Sequence, residues 1–375
     1  MEPERLSSFQ TPPADGSYKW GSRMLNRRTA LAWLALLLLW GRGWQPVAPA
    51  AAGRDSGDEW PYYGRDPGGT KYSPLDQIHR GNVAQLRVAW TYRTGDLSDG
   101  TDYPTRSAFE CTPLVVDGVM YVTTPFCRLI ALEAETGRQL WAFDPQIDKR
   151  RPYNLFINRG AALWSGPRES SPRGPGTAGQ SDKRIFLGTL DGRLIAVNAE
   201  NGKPEESFGQ AGSVDLRQGA ADKYPGRSYG VTSPPVVYKD LVITGALASD
   251  GEPQGPSGDV RAFDARSGRE VWRFHAVPRP AEFGNDTWEG ESWKERGGTN
   301  VWSIMSLDAE RGILFLPVTS PSYDYYGGDR KGQNLFGNAV VALEAATGRR
   351  LWHFQAVHHD VWDWDLPAQP NLVTV

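Results

Sequence analysis

Cysteine and net charge are both scarce in this sequence, and each scarcity excludes a class of protein. Among 375 residues there are 2 Cys, too few for a disulfide-stapled scaffold, an iron–sulfur protein or a cysteine-rich zinc array. The formal net charge is −3, which gives no electrostatic basis for nucleic-acid binding. A mean hydropathy of −0.50 excludes a polytopic membrane protein. The chain is nevertheless long enough to bury a large core.

Residues 1–52 have the pattern of a signal peptide. Arg27 and Arg28 precede the apolar run 30–40, which is too short to span a bilayer comfortably, and an alanine-rich segment follows. The pattern predicts export by either the ordinary secretory or the twin-arginine route. Met24 is an alternative start, because the residues before it are polar.

The mature domain is predicted to cover residues 53–375, in the periplasm, with membrane association left open. Cys111 and Cys127 would then lie in an oxidising compartment, where a pair of thiols is able to form a disulfide. The sequence does not decide whether they pair.

Glycine, proline and tryptophan are abundant, with 42, 28 and 15 residues. One sequence motif occurs four times: an apolar stretch, an acidic or amide residue, a small residue, a few variable residues and then Gly. The copies end at Gly137, Gly202, Gly268 and Gly348, at intervals of 65, 66 and 80 residues. Three of the four copies are followed by Trp four residues later, namely Trp141, Trp272 and Trp352, and the second copy has Phe208 beyond it.

Each copy predicts a strand, a tight turn and a return strand, because Gly adopts the positive φ that such turns need. The segments around Asp117-Gly118 and within 184–195 predict further hairpins. Units of this length predict an all-β fold made of β-propeller blades, with the Trp residues wedged between blades. A polar Gly/Pro/Ser-rich loop is predicted at 165–182. Because a propeller closes to remove its sheet edges, four blade signatures and a last apolar stretch without partner strands predict a fragment of a ring.

Two further motifs carry a resemblance to a known family. The segment His358–Pro370, HHDVWDWDLPAQP, is one, and the opening signature is the other, with His79 where Asn is usual. The signature consists of Glu59-Trp60, Gly64-Arg65, Tyr72-Ser73, Ile78, Asn82-Val83 and Leu86-Arg87. Together they resemble the quinoprotein dehydrogenases that use pyrroloquinoline quinone (PQQ), in the glucose and quinate/shikimate branch. The resemblance implies an eight-bladed propeller with tryptophan-docking motifs and PQQ in its central channel, of which this chain covers roughly half the ring.

The resemblance also implies which residues hold this flat tricarboxylate quinone. Trp302 matches the floor on which the ring stacks, and Arg159 matches the arginine that meets a carboxylate, a task suited to guanidinium. Glu110 matches a glutamate beside the cofactor, and Thr232 matches a hydroxyl donor. The alternative for Trp302 is a further tryptophan between blades, and for the other three a turn or surface role.

A metal at the quinone edge is implied as well, and Ca²⁺ is expected because it is a hard cation that takes oxygen ligands. Asp250 lies where relatives place a carboxylate ligand, whereas Ser320 lies where methanol-type relatives place Asn. Asp363 matches the catalytic base, which must be ionised to accept a proton, and it also adjoins the metal. Asp365 matches a ligand in lanthanide-dependent relatives, but glucose-type members carry it too, so Ca²⁺ is favoured over a lanthanide.

The implied activity is oxidation of an alcohol, polyol or aldose sugar such as glucose, by base-assisted hydride transfer to PQQ. The chain contains no Cys-x-x-Cys-His, so no c-type haem is attached within it, and a membrane quinone or a cytochrome is the expected electron acceptor. The alternatives are a non-catalytic propeller scaffold and an inactive paralogue. The residues that a scaffold has no reason to assemble are Glu110, Arg159, Trp302 and Asp363.

Overall fold

The computed structural model describes residues 59–167 and 181–374. Within these ranges the chain forms four consecutive four-stranded antiparallel sheets, hereafter blades 1 to 4. Blade 1 contains β1 (Leu114–Val116), β2 (Val119–Thr123), β3 (Leu129–Glu133) and β4 (Gln139–Phe143). Blade 2 contains β5 (Ala162–Pro167), β6 (Ser181–Gly188), β7 (Arg193–Asn198) and β8 (Ser213–Asp215).

The strands β9 (Tyr229–Gly230) and β12 (Leu247–Ala248) pair with each other beside blade 3. Blade 3 itself contains β10 (Val236–Tyr238), β11 (Leu241–Thr244), β13 (Val260–Asp264) and β14 (Glu270–Phe274). Blade 4 contains β15 (Ser306–Asp308), β16 (Ile313–Val318), β17 (Ala339–Glu344) and β18 (Arg350–Gln355). The helical segments of the described chain are two 3₁₀ turns, Val83–Gln85 and Asn285–Thr287.

The all-β propeller architecture predicted from the repeats is therefore confirmed, and the four blades do not close into a ring. The predicted signal peptide, residues 1–52, lies outside the described residues. In the part of the chain that is described, no helix has the length and apolar character needed to cross a bilayer.

The predicted turns form for the expected reason. Asp117 and Gly118 join β1 to β2 with φ values of 50° and 74°, the left-handed pair that a two-residue hairpin needs. Both boundaries of one loop differ from the prediction: the loop expected at 165–182 is shorter at each end. β5 runs on to Pro167 and β6 begins at Ser181, so that Ser165 pairs with Lys183 in the ladder between them. Residues 168–180 are outside the described part.

Two of the three repeat tryptophans, Trp141 and Trp272, join neighbouring blades, as predicted, and each of the two docks on a repeat glycine. The ring of Trp141 in blade 1 covers Gly202 in blade 2, and its indole N–H donates to the carbonyl of Ala199 at 3.2 Å. A Cβ at Gly202 would lie 2.6 Å from that ring, so the close contact requires glycine. Trp272 in blade 3 docks on Gly348 in the same way, and its N–H donates to the equivalent alanine carbonyl at 3.1 Å.

Two seams depart from the sequence pattern. Trp90, which precedes blade 1 and belongs to none of the four repeat copies, docks on Gly137. Between blades 2 and 3, where Phe208 stands in place of a docking Trp, the buried guanidinium of Arg184 donates to the carbonyl of Ala265 at 3.2 Å. An arginine thus supplies the hydrogen bond that an indole supplies at the other seams.

We expect Trp272→Ala to lower the free energy of unfolding by about 3–5 kcal/mol, because it empties a buried seam. Val271 is the matched control: it precedes Trp272 in β14 but is 40% exposed, against 8% for Trp272. Its replacement by Ala should cost about 1 kcal/mol or less. Urea unfolding of the protein that carries this chain measures both, and equal losses would contradict the role assigned to the seam.

Candidate active site

The residues expected to hold the cofactor occupy equivalent places in successive blades. Glu110, Arg159, Thr232 and Trp302 each stand three or four residues before the first strand of their blade, β1, β5, β10 and β15. The first strands of the blades begin at the same end of the fold, so the four residues come together at that end.

Direct contacts link these four residues. The guanidinium of Arg159 lies over the indole of Trp302, with Cζ 4.9 Å from the ring centroid, and its Nε is 3.2 Å from Oε2 of Glu110. The backbone N–H of Arg159 donates to the carbonyl of Thr232 at 2.8 Å. The hydroxyls of Thr232 and Ser233 donate to the carbonyl of Trp302 at 3.1 and 2.5 Å, so the Thr232 hydroxyl is used within the protein.

This group of residues fits a flat polyanion. Nη1 of Arg159 is buried and has no hydrogen-bond partner, which leaves a cationic donor beside an aromatic face. Burial lowers the pKa of Arg159 and Glu110 opposes that shift, but a guanidinium stays charged in proteins. A carboxylate of PQQ would satisfy this buried donor, and the adjacent indole offers a stacking surface.

Four carboxyl groups gather beside this surface: Asp250, Asp324, Asp363 and Asp365. The pKa of Asp324 is raised to about 8, mainly by burial and then by the charges of the other three, with Arg330 opposing the shift. Burial also raises the pKa of Asp250, with a second contribution from Asp363. The pKa of Asp365 is raised by burial as well, although its hydrogen bonds from Ser320 and Trp302 oppose the shift. Carboxyl groups that repel one another in this way favour a bound cation, which restores their ionised form.

The donors at this cluster are oxygen atoms, the type that a hard cation such as Ca²⁺ prefers. Among the described residues, however, no three acidic, histidine or cysteine side chains converge closely enough to hold an ion as they stand. Asp324 was not predicted from the sequence. It lies six residues after the end of β16, at the same end of blade 4 as Trp302, and this position is what could have indicated it.

Asp363 and Ser320 differ in how they are held. Asp363 is exposed, has a φ of 57°, and its Oδ2 accepts a hydrogen bond from the hydroxyl of Tyr325 at 3.3 Å. Ser320, expected at a metal-ligand position, is buried, and its hydroxyl donates to Oδ2 of Asp360 at 2.7 Å. The candidate base is thus open to substrate, whereas the Ser320 hydroxyl is already engaged.

Both cysteines are free thiols. Cys111 is adjacent to Glu110, and its Sγ accepts a hydrogen bond from the backbone N–H of Thr123 at 3.3 Å. Cys127 is fully buried, and burial raises the pKa of its thiol to about 12. The pairing that the sequence left open is not formed in this structure.

The family model for the glucose/ethanol/alcohol dehydrogenase β-propeller domain, a PQQ family, matches residues 60–375. The quinoprotein glucose dehydrogenase of Escherichia coli K12 is 36% identical, over 84% of this chain and 39% of its own length. The quinate/shikimate dehydrogenase (quinone) of Acinetobacter baylyi is 34% identical over the same shares, 84% and 39%.

Among solved structures, the quinohemoprotein alcohol dehydrogenase ADHIIG of Pseudomonas putida HK5 superposes with a TM-score of 0.68 and 35% identity. The match covers 83% of this chain and 42% of that one. The chain therefore spans about two fifths of the length of these relatives. Repeat pattern, blade architecture and family match agree, and the chain belongs to the PQQ-dependent quinoprotein dehydrogenase family, of whose β-propeller it forms four blades.

Proposed function

We propose that the protein carrying this chain is an exported dehydrogenase that uses PQQ and Ca²⁺ to oxidise an alcohol, a polyol or an aldose sugar. The observation that carries the proposal is the meeting of Arg159, Trp302 and the aspartate cluster at one end of the blades. A scaffold would gain nothing from a buried cationic donor beside an aromatic face and a set of mutually repelling carboxyl groups. The names of the relatives support the alcohol and sugar classes of substrate.

The contacts within the site suggest a role for each of its residues. Trp302 provides the stacking surface, Arg159 binds a cofactor carboxylate, and Glu110 keeps the guanidinium in place. When bound, PQQ supplies an electrophilic quinone that accepts a hydride from the substrate carbon. Asp363, exposed and next to the cluster, accepts the hydroxyl proton of the substrate in the same step. Asp250, Asp324 and Asp363 are the carboxylates proposed to face the cation.

A site whose ligands are carboxylate oxygens favours Ca²⁺, a hard cation, over softer metals. We propose that the electrons then pass to a membrane quinone or a cytochrome.

Reconstitution tests the proposal. Purified protein should bind PQQ when Ca²⁺ is present, and the loaded protein should reduce an artificial electron acceptor with a sugar or an alcohol as substrate. Chelation of the cation should abolish turnover, and Ca²⁺ should restore it. If the protein binds no PQQ at saturating Ca²⁺, the enzyme assignment fails. If it binds PQQ but oxidises none of a broad panel of alcohols and sugars, it is an inactive paralogue.

We further propose that residues 1–52 are removed on export to the periplasm. The basis is the pair Arg27-Arg28, the short apolar run and the alanine-rich segment that follows. N-terminal sequencing of the exported protein should give a start between about Ala50 and Asp55. A mature protein that retains the apolar run 30–40 would instead be anchored by it.

A further inference from the structure

The carboxylate of Asp365 is held on both sides by hydrogen bonds from the protein. Its Oδ2 accepts the indole N–H of Trp302 at 2.8 Å, and its Oδ1 accepts the backbone N–H of Ser320 at 2.8 Å. Each oxygen of this carboxylate therefore has a protein donor at ideal hydrogen-bond length. Neither contact involves another member of the aspartate cluster.

Buried neighbours fix the position of this carboxylate. The hydroxyl of Ser320 donates to Asp360, which is 2% exposed, at 2.7 Å. Asp360 also accepts the backbone N–H groups of Trp362 and Trp364, at 3.1 and 2.8 Å, and so holds the turn that leads to Asp365. The acceptor facing Trp302 thus belongs to a connected set of buried and half-buried hydrogen bonds, which makes its position well defined.

At Trp302 itself, the backbone and the ring are held by different partners. The hydroxyls of Thr232 and Ser233 bond its carbonyl, which fixes the backbone but leaves the side-chain torsions free. The hydrogen bond to Asp365 acts on the ring and sets the angle of the indole plane. A stacking surface binds a flat ligand well only when its plane is set beforehand, since the cost of ordering it is then not paid on binding.

We propose that Asp365 is a positioning residue that orients the indole ring of Trp302 for stacking with PQQ, rather than a ligand of the metal. The inference rests on the proposed function. The proposed role of Asp365 depends on the indole N–H of Trp302. The effect of Asp365 on cofactor affinity should therefore vanish when that N–H is absent.

A double-mutant cycle tests this directly. Asp365→Ala removes the acceptor, and Trp302→Phe removes the N–H donor while keeping an aromatic surface. With Trp302 present, Asp365→Ala should weaken PQQ binding by roughly fivefold or more, the effect of losing a charge-assisted hydrogen bond. In the Trp302→Phe background the same substitution should change PQQ affinity by less than about twofold. Equilibrium dialysis of PQQ at saturating Ca²⁺ measures all four proteins.

A Ca²⁺ titration at saturating PQQ separates the two roles. A positioning residue leaves the Ca²⁺ concentration at half-saturation nearly unchanged, whereas loss of a ligand shifts it strongly and equally in both Trp302 backgrounds. The second pattern, or additive losses of PQQ affinity, would overturn the inference. If Asp365→Ala does not fold, Asp365→Asn replaces it, because a single amide oxygen serves only one of the two donors. If the unmodified protein binds no PQQ, the proposed function fails instead.

Discussion

Asp363→Asn should lower kcat by about 10²–10⁴-fold, the usual effect of losing a general base. The substitution keeps the size of the side chain and its hydrogen bonding with Tyr325 but removes the group that accepts the substrate proton. PQQ should still bind, because Trp302 and Arg159 are untouched. Turnover with an artificial acceptor, together with the absorbance of bound PQQ, measures the two properties separately.

Asp240→Asn is the matched control for this experiment. Asp240 is exposed and lies in the turn between β10 and β11, at the opposite end of blade 3 from the candidate site. It should keep near-normal turnover. If Asp363→Asn does so as well, while Asp360→Asn or Asp365→Asn abolishes activity, the base has been assigned to the wrong carboxylate. If none of these aspartates matters, the enzyme assignment is wrong.

Arg159→Gln should weaken PQQ binding by roughly 10- to 150-fold, because a charge-assisted hydrogen bond contributes about 1.5–3 kcal/mol. The variant also leaves Glu110 without its cation, next to the carboxylates of the ligand. Cofactor affinity should fall more than kcat at saturating PQQ, since Arg159 is proposed to bind rather than to react. Equilibrium dialysis gives the affinity, and turnover at saturating PQQ gives kcat.

Arg266→Gln provides a close control, because Arg266 also lies over a tryptophan. Its Cζ is 4.6 Å from the ring centroid of Trp164, against 4.9 Å for Arg159 and Trp302. The side chains are similarly exposed, at 21% and 17%. Since Trp164 is buried between blades and away from the site, this variant should bind PQQ normally. An equal loss of affinity in both variants would indicate a general effect on folding.

The blades could be predicted from the sequence because their signals are local. Each repeat glycine has a φ near 72°, a requirement set by its own turn, and the spacing of the copies follows from it. The docking of Trp141 and Trp272 was also predictable, because the residue and its repeat occur together. Trp90 was not recognised, because it lies outside the repeated motif, in a segment without regular strands.

Arg184 was not recognised for a different reason: a guanidinium and an indole share no sequence pattern even when they donate the same hydrogen bond. The candidate site likewise contains residues that lie in recognisable motifs and residues that only the fold brings together. Trp302, Arg159 and Asp363 stand in motifs, whereas Asp324 lies in an irregular loop where only folding places it among other carboxyl groups. The engagement of Ser320 with Asp360 depends on two loops that are forty residues apart, and no local pattern encodes it.

The docking contacts between indoles and glycines all run in one direction along the chain, from a tryptophan to a glycine of the blade that follows it. Each docking Trp projects towards the blade that follows it, and all four repeat glycines are already covered by groups of this same chain, Gly137 by Trp90. Trp352 is the docking residue that remains exposed. The four repeat glycines of a second copy of the described chain are therefore all occupied, so two such chains cannot complete a ring by repeating the same seam. To attach a further blade by the same seam, another turn glycine is needed next to blade 4 for Trp352 to cover.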